Sequence, residues 1–595
     1  MALVQAKYPR YLAKVIKRRR VAVGLLALGL VIGSGVGSVP VASAQPPADA
    51  LQVWVPTGDF ASSAFVRVAQ AAPNPVPEQS DRQLSLAAVR NGHASAQLAV
   101  TSQQDLKELR VQVDPLIAPG QGIGAIPGAI QVRYPAYIPD DRGGVVADPL
   151  REVESVDVPT GQAQPVWFTL AVPPDANPGT YQSRITISAH QVKSVTYQLT
   201  VNIADVTLPS PAERNFHLNL WFQPDTVADQ LGLELWSDEH FTAIRPYLRD
   251  LASRGQRVIN SAVAEDPWPV LWPNGEWRSQ TYLPYHSAVD WYHDGQNWSF
   301  DFTSWDRLIE EGLDAGLGPY IHAFGLLMFR GYQHIVYTDT RTGERVDREV
   351  TLGGEDWADA WSAFLVAFED HVRERGWLDR TYLAFDERPA SEMQFAMDLV
   401  KKVAPVFVNQ IAIAGSASTD QFAHDLSLNY SNVNTWSQEM IERRRAEGKL
   451  TTYYTWANPV YPNTVIPSDP IGARMLSWIS AQHNLDGYLR WAYNSWPQDP
   501  YTTPTYRYRQ GDEYLVYPGE NGPVSSIRWE LFREGQEDYV LLDLLATRGG
   551  ADHPVRVAAL TDVEPAATPG PAVYESLLNA RTAIVAALED LPPAN

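Results

Sequence analysis

The chain has 595 residues and 66.1 kDa, with 45% hydrophobic and 19% charged side chains, enough apolar material for two or three cored domains and incompatible with a disordered chain. Acids outnumber bases 69 to 47, for a net charge of −22, which speaks against binding nucleic acid or an anionic membrane surface. Cysteine is absent, so disulfides, thiolate metal sites and thiol catalysis are excluded.

The first 44 residues carry seven Lys/Arg and no acid. Lys14 to Arg20 form a basic segment, 21–37 an apolar one, and Val41-Ala42-Ser43-Ala44 supplies the small residues read by a signal peptidase. The apolar run is Gly-interrupted and short of the roughly 20 residues a membrane span needs. The expectation is a signal peptide over 1–44, cleaved near Ala44–Gln45, and a secreted mature protein with no membrane span.

An N-terminal domain is expected over 45–208. Alternating segments at 84–89, 96–100, 109–113, 166–172, 181–187 and 195–203 are separated by turn signals such as Asn91-Gly92 and Pro178-Gly179. Short strands at this spacing, with no helical stretch between them, predict an all-β sandwich. Leu208-Pro209-Ser210-Pro211 marks the boundary.

From 209 to 547 the rhythm changes to alternating strands and helices. Strands are predicted at 216–221, 258–261, 319–323, 381–385, 410–414, 432–436, 451–456 and 487–493. Apolar helical faces such as Trp357, Trp361, Phe364, Phe368 and Val372 lie between them. Eight strands with intervening helices predict an α/β fold, a (β/α)8 TIM barrel with insertions. Residues 548–595 read as a linker and one closing helix over 574–591, giving the chain a helical C-terminal end.

Barrels carry their catalytic groups at the C-terminal ends of the strands. The run Thr381-Tyr382-Leu383-Ala384-Phe385-Asp386-Glu387-Arg388-Pro389 takes an apolar strand into two adjacent carboxylates and then a chain-breaking Pro. Neighbouring carboxylates cannot both ionise cheaply, so one pKa rises toward the range of a general acid. A helix cap at Asp386 beside a solvated Glu387 is the bland alternative. Other strand-end groups are candidates for a sugar subsite: Asn219, Trp221, Trp268, His322, Trp436, Tyr454, Trp456, Trp491, Tyr493 and Asn494. Flat rings match the apolar faces of pyranoses and the amide and phenol groups donate hydrogen bonds. Core packing explains each of them equally well. There is no Gly-rich phosphate loop, HExxH or Ser nucleophile elbow.

Toward the C-terminus the chain reads GYLRWAYNSWPQDPY and then GDEYLVYPGENGPVSSIRWELFREGQEDYVLLDLL, and the N-terminal domain contains VWFTLAVPPDANPGTYQSRITI. With the Asp-Glu pair, these segments resemble glycoside hydrolase family 123 over nearly the whole chain. The resemblance implies an exo-acting retaining β-N-acetylgalactosaminidase using substrate assistance. The sugar's 2-acetamido oxygen would attack the anomeric carbon, Asp386 would orient the acetamide, and Glu387 would protonate the leaving oxygen and then activate water. It implies a carbohydrate substrate and no metal or organic cofactor, and is silent on oligomeric state. Where relatives read Asp-Glu-Pro, Arg388 here intervenes before Pro389. Arg528, Trp529, Glu530, Asp538 and Tyr539 lie in the signature but on a helix, and read as packing and salt-bridge positions.

Two other readings stay open. One is a glycosidase acting on a non-acetamido sugar, with Asp225, Asp266 or Glu439 as nucleophile or base. The other is a non-catalytic carbohydrate-binding protein of the same fold, against which the Asp386-Glu387 pair weighs.

Overall fold

The computed structural model describes residues 51–592, apart from 57–61, 79–80, 119–122 and 127–128. The expected signal peptide lies outside the described residues. The first domain is two facing sheets. One is five-stranded, in the order Gln52–Trp54, His93–Thr101, Ala163–Ala171, Ile130–Pro139, Val145–Arg151. The other is seven-stranded, built around Gln83–Arg90, Val192–Thr207, Gly179–Ala189 and Leu106–Val113. Leu98, Val166, Phe168 and Leu170 meet Leu86, Ile185, Leu199 and Val201 in its core.

All six expected strands are present. Of the strands absent from the sequence reading, the two longest are Ile130–Pro139 and Val145–Arg151. Their prolines hid them. Pro135 sits at a register shift and Pro149 on an edge strand, the places where a missing N–H is tolerated.

The strand Ala163–Ala171 is buried on both faces, which is why it reads as a continuous apolar run. Phe168 faces the sandwich core, whereas Trp167 belongs to the barrel-side core. The element on that side is the helix Ile527–Gly549, capped by Ser526, whose hydroxyl accepts from the Trp529 N–H at 3.1 Å. Its buried charges are paired. Arg528 meets Asp148 at 3.0 Å, Glu530 meets Arg133 and Arg254 at 3.1 and 3.2 Å, Glu537 meets His93 at 2.8 Å, and Asp538 meets Arg474 at 2.7 Å. At Gly535 a Cβ would come within 2.3 Å of the Arg474 carbonyl oxygen, so only glycine lets the helix Ile471–Gln482 approach so closely.

The second domain is a ring of eight parallel strands: β1 His217–Leu220, β2 Val258–Ala262, β3 Tyr320–Phe324, β4 Thr381–Phe385, β5 Ile411–Gly415, β6 Asp425–Asn429, β7 Leu450–Tyr454 and β8 Gly487–Arg490. From β2 to β8 each pairs with the next in chain order, and β8 pairs with β1, while β1 and β2 meet without a ladder between them. The β1–β2 seam is closed largely by one side chain. Gln256 Nε2 donates to the Leu220 and Val258 carbonyls at 2.9 and 2.7 Å, and its Oε1 accepts from the Leu220 N–H at 3.0 Å. Arg257 N–H adds a bond to the Leu218 carbonyl at 2.9 Å.

One expected strand is misplaced in the sequence reading. The sixth is Asp425–Asn429, and 432–436 lies largely in the 3-10 segment Tyr430–Thr435. Asp425 and Ser427 face the barrel bore. A strand whose inward positions are polar lacks the apolar signature by which the others are recognised. The insertions are a hairpin, Pro269–Leu271 with Trp277–Ser279, and a four-stranded sheet between 290 and 349. The closing helix is Pro571–Glu589, preceded by a shorter one, Pro554–Asp562, that was not anticipated.

Removing Asp148 leaves the fully buried Arg528 guanidinium without its counter-charge. Asp148→Ala is therefore expected to lower stability by about 3–5 kcal/mol, measured as a shift in the urea unfolding curve.

Candidate active site

Strand parity carries Asp386 inward. Ala384 faces the mouth cluster while Leu383 and Phe385 pack in the outer core, so the next inward position after β4 is Asp386. Asp386 is partly buried and Glu387 is exposed. Oδ1 of Asp386 accepts from the Glu387 backbone N–H at 2.7 Å, and the Trp268 indole also donates to this carboxylate. Loss of hydration, and then the adjacent Glu387 charge, push Asp386 up to about 7, with Arg388 pulling the other way.

Glu387 is held from the other side of the barrel. Its Oε1 accepts from the Tyr454 hydroxyl at the end of β7 and from Asn429 Nδ2, at 3.1 Å, at the end of β6. Asn429 also donates to the Tyr454 oxygen at 2.9 Å. Burial and the nearby carboxylates hold the Tyr454 phenol well above its usual range, so it stays a donor at neutral pH. Both donors converge on one oxygen. Neither of them engages the second oxygen of Glu387.

Arg388 turns away from the pair. It is buried, donates to the Leu327 carbonyl at 3.3 Å and lies over the Phe329 ring at 5.4 Å. The residue that interrupts the Asp-Glu-Pro pattern thus ties the loop after β4 to the loop after β3.

Around the pair lies an aromatic cluster containing Trp221, Trp268, Tyr285, Phe324 and Tyr454, with Trp491 packed against it. Trp268 stands 5.0 Å from Trp221 and 4.7 Å from Tyr285 between ring centroids. Deeper in the bore are Asn219 and His322, with His322 Nε2 3.5 Å from Asp425. Burial drives His322 down to about 4, so it is neutral at pH 7. Trp456 is exposed and donates to Ser431 Oγ at 3.2 Å.

Three of the sequence-predicted subsite residues are elsewhere. Trp436 packs on the outer side against Tyr453 and His483. The Tyr493 hydroxyl donates to Asp250 at 2.6 Å, with its ring in the outer core. Asn494 is fully buried and spends its amide on Gln223 and Thr226. β8 ends at Arg490, three residues before the predicted end, so parity beyond that point is meaningless. Asn429 was missed because its strand was misplaced.

The alternative acids have partners of their own. Asp225 meets His286 Nδ1 at 2.6 Å, and Asp266 accepts from Ser279 Oγ at 3.2 Å and is pushed up to about 7 by burial. Glu439 lies on the helix Gln438–Ala446. Among the described residues no three His, Asp or Glu side chains gather as a metal site.

Residues 221–545 match the family model described as the glycoside hydrolase 123 catalytic domain, and residues 62–189 that of the glycoside hydrolase 123 N-terminal domain. The chain belongs to glycoside hydrolase family 123. It is a glycosidase by that membership. A family 123 glycoside hydrolase from Clostridium perfringens, described for glycolipid glycan hydrolysis, shares its fold at a TM-score of 0.79 and 21% identity, over 91% of this chain and 98% of that one. A family 5 xyloglucanase from Bacteroides ovatus (10% identity, 77% of this chain and 99% of that one, TM-score 0.23) is far more distant. So is a family 39 glycoside hydrolase from Bacteroides cellulosilyticus (11% identity, 76% and 82%, TM-score 0.31). No curated protein matches the sequence significantly.

The raised Asp386 has a consequence for the stability of this family 123 enzyme. An acid whose pKa is higher folded than unfolded adds stability in its protonated form, in full below about pH 4, and loses it as pH climbs to about 7. Asp386→Asn is expected to melt at a higher temperature than wild type above pH 7, with the difference vanishing near pH 4.

Proposed function

We propose that this enzyme is a secreted, exo-acting, retaining β-N-acetylgalactosaminidase working by substrate assistance. The observation that carries the reading is two acids on one strand end in opposite surroundings, Asp386 enclosed and Glu387 open and held through one oxygen. Glycosidases that use two protein carboxylates set them on opposite faces of the sugar, about 5 Å or more apart. Adjacent residues at one strand end suit a scheme in which the nucleophile comes from the substrate.

In that scheme the acetamide of the terminal sugar lies against Asp386. As its oxygen attacks the anomeric carbon, positive charge develops on the acetamide nitrogen. That charge favours the ionised form of Asp386, and in an enclosed site their attraction is strong. Glu387 delivers its proton from the oxygen not engaged by Tyr454 and Asn429, and afterwards takes one from water. The aromatic cluster supplies a surface for the apolar face of the ring. The Clostridium perfringens enzyme, described for glycolipid glycan hydrolysis, supports a glycan as the substrate class. Export rests on the basic and apolar sequence before Gln45.

Glu387→Gln is expected to abolish turnover of glycosides with poor leaving groups but to spare activated aryl glycosides, which need little protonation. Asp386→Asn should reduce both by about 10²-fold or more, the scale of lost transition-state charge stabilisation. Steady-state kinetics on paired substrates checks this, and equal, mild effects would remove the pair from the mechanism.

A thiazoline analogue of N-acetylgalactosamine should inhibit far more tightly than the free sugar, and lose affinity in Asp386→Asn. Inhibition assays read both. A covalent glycosyl-enzyme ester trapped with a 2-fluoro glycoside would instead require a carboxylate nucleophile and favour the non-acetamido alternative.

A further inference from the structure

The two donors that fix the Asp386 carboxylate both lead back to one side chain, Arg388. The first donor is the Glu387 backbone N–H, and the carbonyl of that same residue accepts from Arg388 Nη1 at 3.4 Å. The second is the Trp268 indole. Trp268 follows Pro267, whose carbonyl accepts from the Phe329 N–H at 2.8 Å, and Phe329 lies in the same aromatic cluster as Trp268. Arg388 sets its guanidinium 5.4 Å from the Phe329 ring centre and donates through Nη2 to the Leu327 carbonyl at 3.3 Å. These contacts close a circuit through three loops. It runs from Asp386 and Arg388 after β4, through Leu327 and Phe329 after β3, to Pro267 and Trp268 after β2, and back to Asp386.

The loops after β2 and β3 are themselves bound together. The Val263 N–H donates to the Phe324 carbonyl at 2.9 Å, and at Gly325 a Cβ would come within 2.8 Å of the Ala264 Cβ. Arg388 joins the loop after β4 to that pair. A guanidinium only 5% exposed is costly to take out of water, and its planar fork bonds carbonyls in fixed directions. Its charge also favours the ionised form of Asp386, against the burial and the Glu387 charge that push the other way.

Asp386 acts by meeting charge that develops on the sugar, and an error of about 1 Å in such a group costs on the order of 10²-fold in rate. We propose that Arg388 is a positioning residue for Asp386, an inference that rests on the role given to Asp386 in the reading above. Through the Glu387 peptide and the Leu327, Phe329 and Trp268 contacts it holds that carboxylate where the acetamide of the terminal sugar meets it.

The test is a double-mutant cycle of Arg388→Met with Asp386→Asn, read on aryl β-glycosides of N-acetylgalactosamine. With Asp386 present, Arg388→Met should lower kcat by about tenfold while KM stays within about threefold, the mark of an interaction made in the transition state. The loss should be similar for good and poor leaving groups, because Asp386 acts on intermediate formation whatever departs. Affinity for the thiazoline should fall by about tenfold, with that for the free sugar held within about threefold. In the Asp386→Asn background the substitution should add less than about threefold, since no carboxylate remains to be positioned. Damage to the packing of the mouth would instead persist without Asp386 and weaken the free sugar as well. A loss in kcat below about threefold with Asp386 present, or above about threefold with Asp386→Asn, would overturn the proposal. If Arg388→Met does not fold, Arg388→Gln carries the same cycle under the same thresholds. Failure of the acetamido reading looks different, because wild type would neither cleave the parent glycoside nor bind the thiazoline. The cycle is then run on whichever glycoside wild type does cleave, and cleavage of none overturns both readings.

Discussion

The buried pair of Arg528 and Asp148 is the contact on which the rest of the molecule depends. Asp148 comes from an edge strand of the sandwich and Arg528 from the first turn of the long helix that packs against the barrel, and neither is exposed. The same guanidinium donates to the carbonyls of Thr464, Gly511 and Tyr514 at 2.5, 3.3 and 3.0 Å. One cation thus holds the sandwich, the loop after β7 and the Asp512–Glu513 segment. Gly511 shows how tightly these are packed. Its φ is +76°, and a Cβ there would lie 2.8 Å from Ile466 and 3.1 Å from Arg528. Replacing such a pair with well-packed apolar groups can cost nothing in stability. What the ionic version adds here is direction, because a guanidinium bonds only where carbonyls and a carboxylate are correctly aimed.

The sandwich is therefore more than an appendage. Gln510 donates to the Pro139 carbonyl at 2.7 Å and accepts from the Asp141 N–H at 3.2 Å, so the sandwich also touches the mouth loop directly. The second sheet face that Trp167 and Thr169 present to the helix is the price of that role. It makes the central strand buried on both sides, with Arg133 as counter-charge to Glu530 and His93 as a hydrogen-bond partner of Glu537.

At the site, chemistry follows from unequal burial of equal groups. Asp386 and Glu387 are chain neighbours, yet strand parity sends one toward Trp268 and the other toward β6 and β7. Enclosure favours the neutral form of Asp386, whereas Glu387 is exposed. Arg388 holds the loop from behind without entering it.

The sequence by itself determined the order of the two domains, seven of the eight barrel strands and the position of the Asp386-Glu387 pair at a strand end. Those features are local: apolar alternation, turn residues and a Pro after a strand are written within a few positions. It also determined that the helix carrying Arg528, Glu530 and Asp538 would be a structural one, although not with what it pairs. Only the tertiary structure decided β6, whose inward Asp425 and Ser427 erase the apolar pattern. It alone brought Asn429 and Tyr454, 42 and 67 residues away in the chain, onto one oxygen of Glu387. It removed Trp436, Tyr493 and Asn494 from the mouth. Which side chains converge depends on closing a ring of strands, and no short window of sequence contains that geometry.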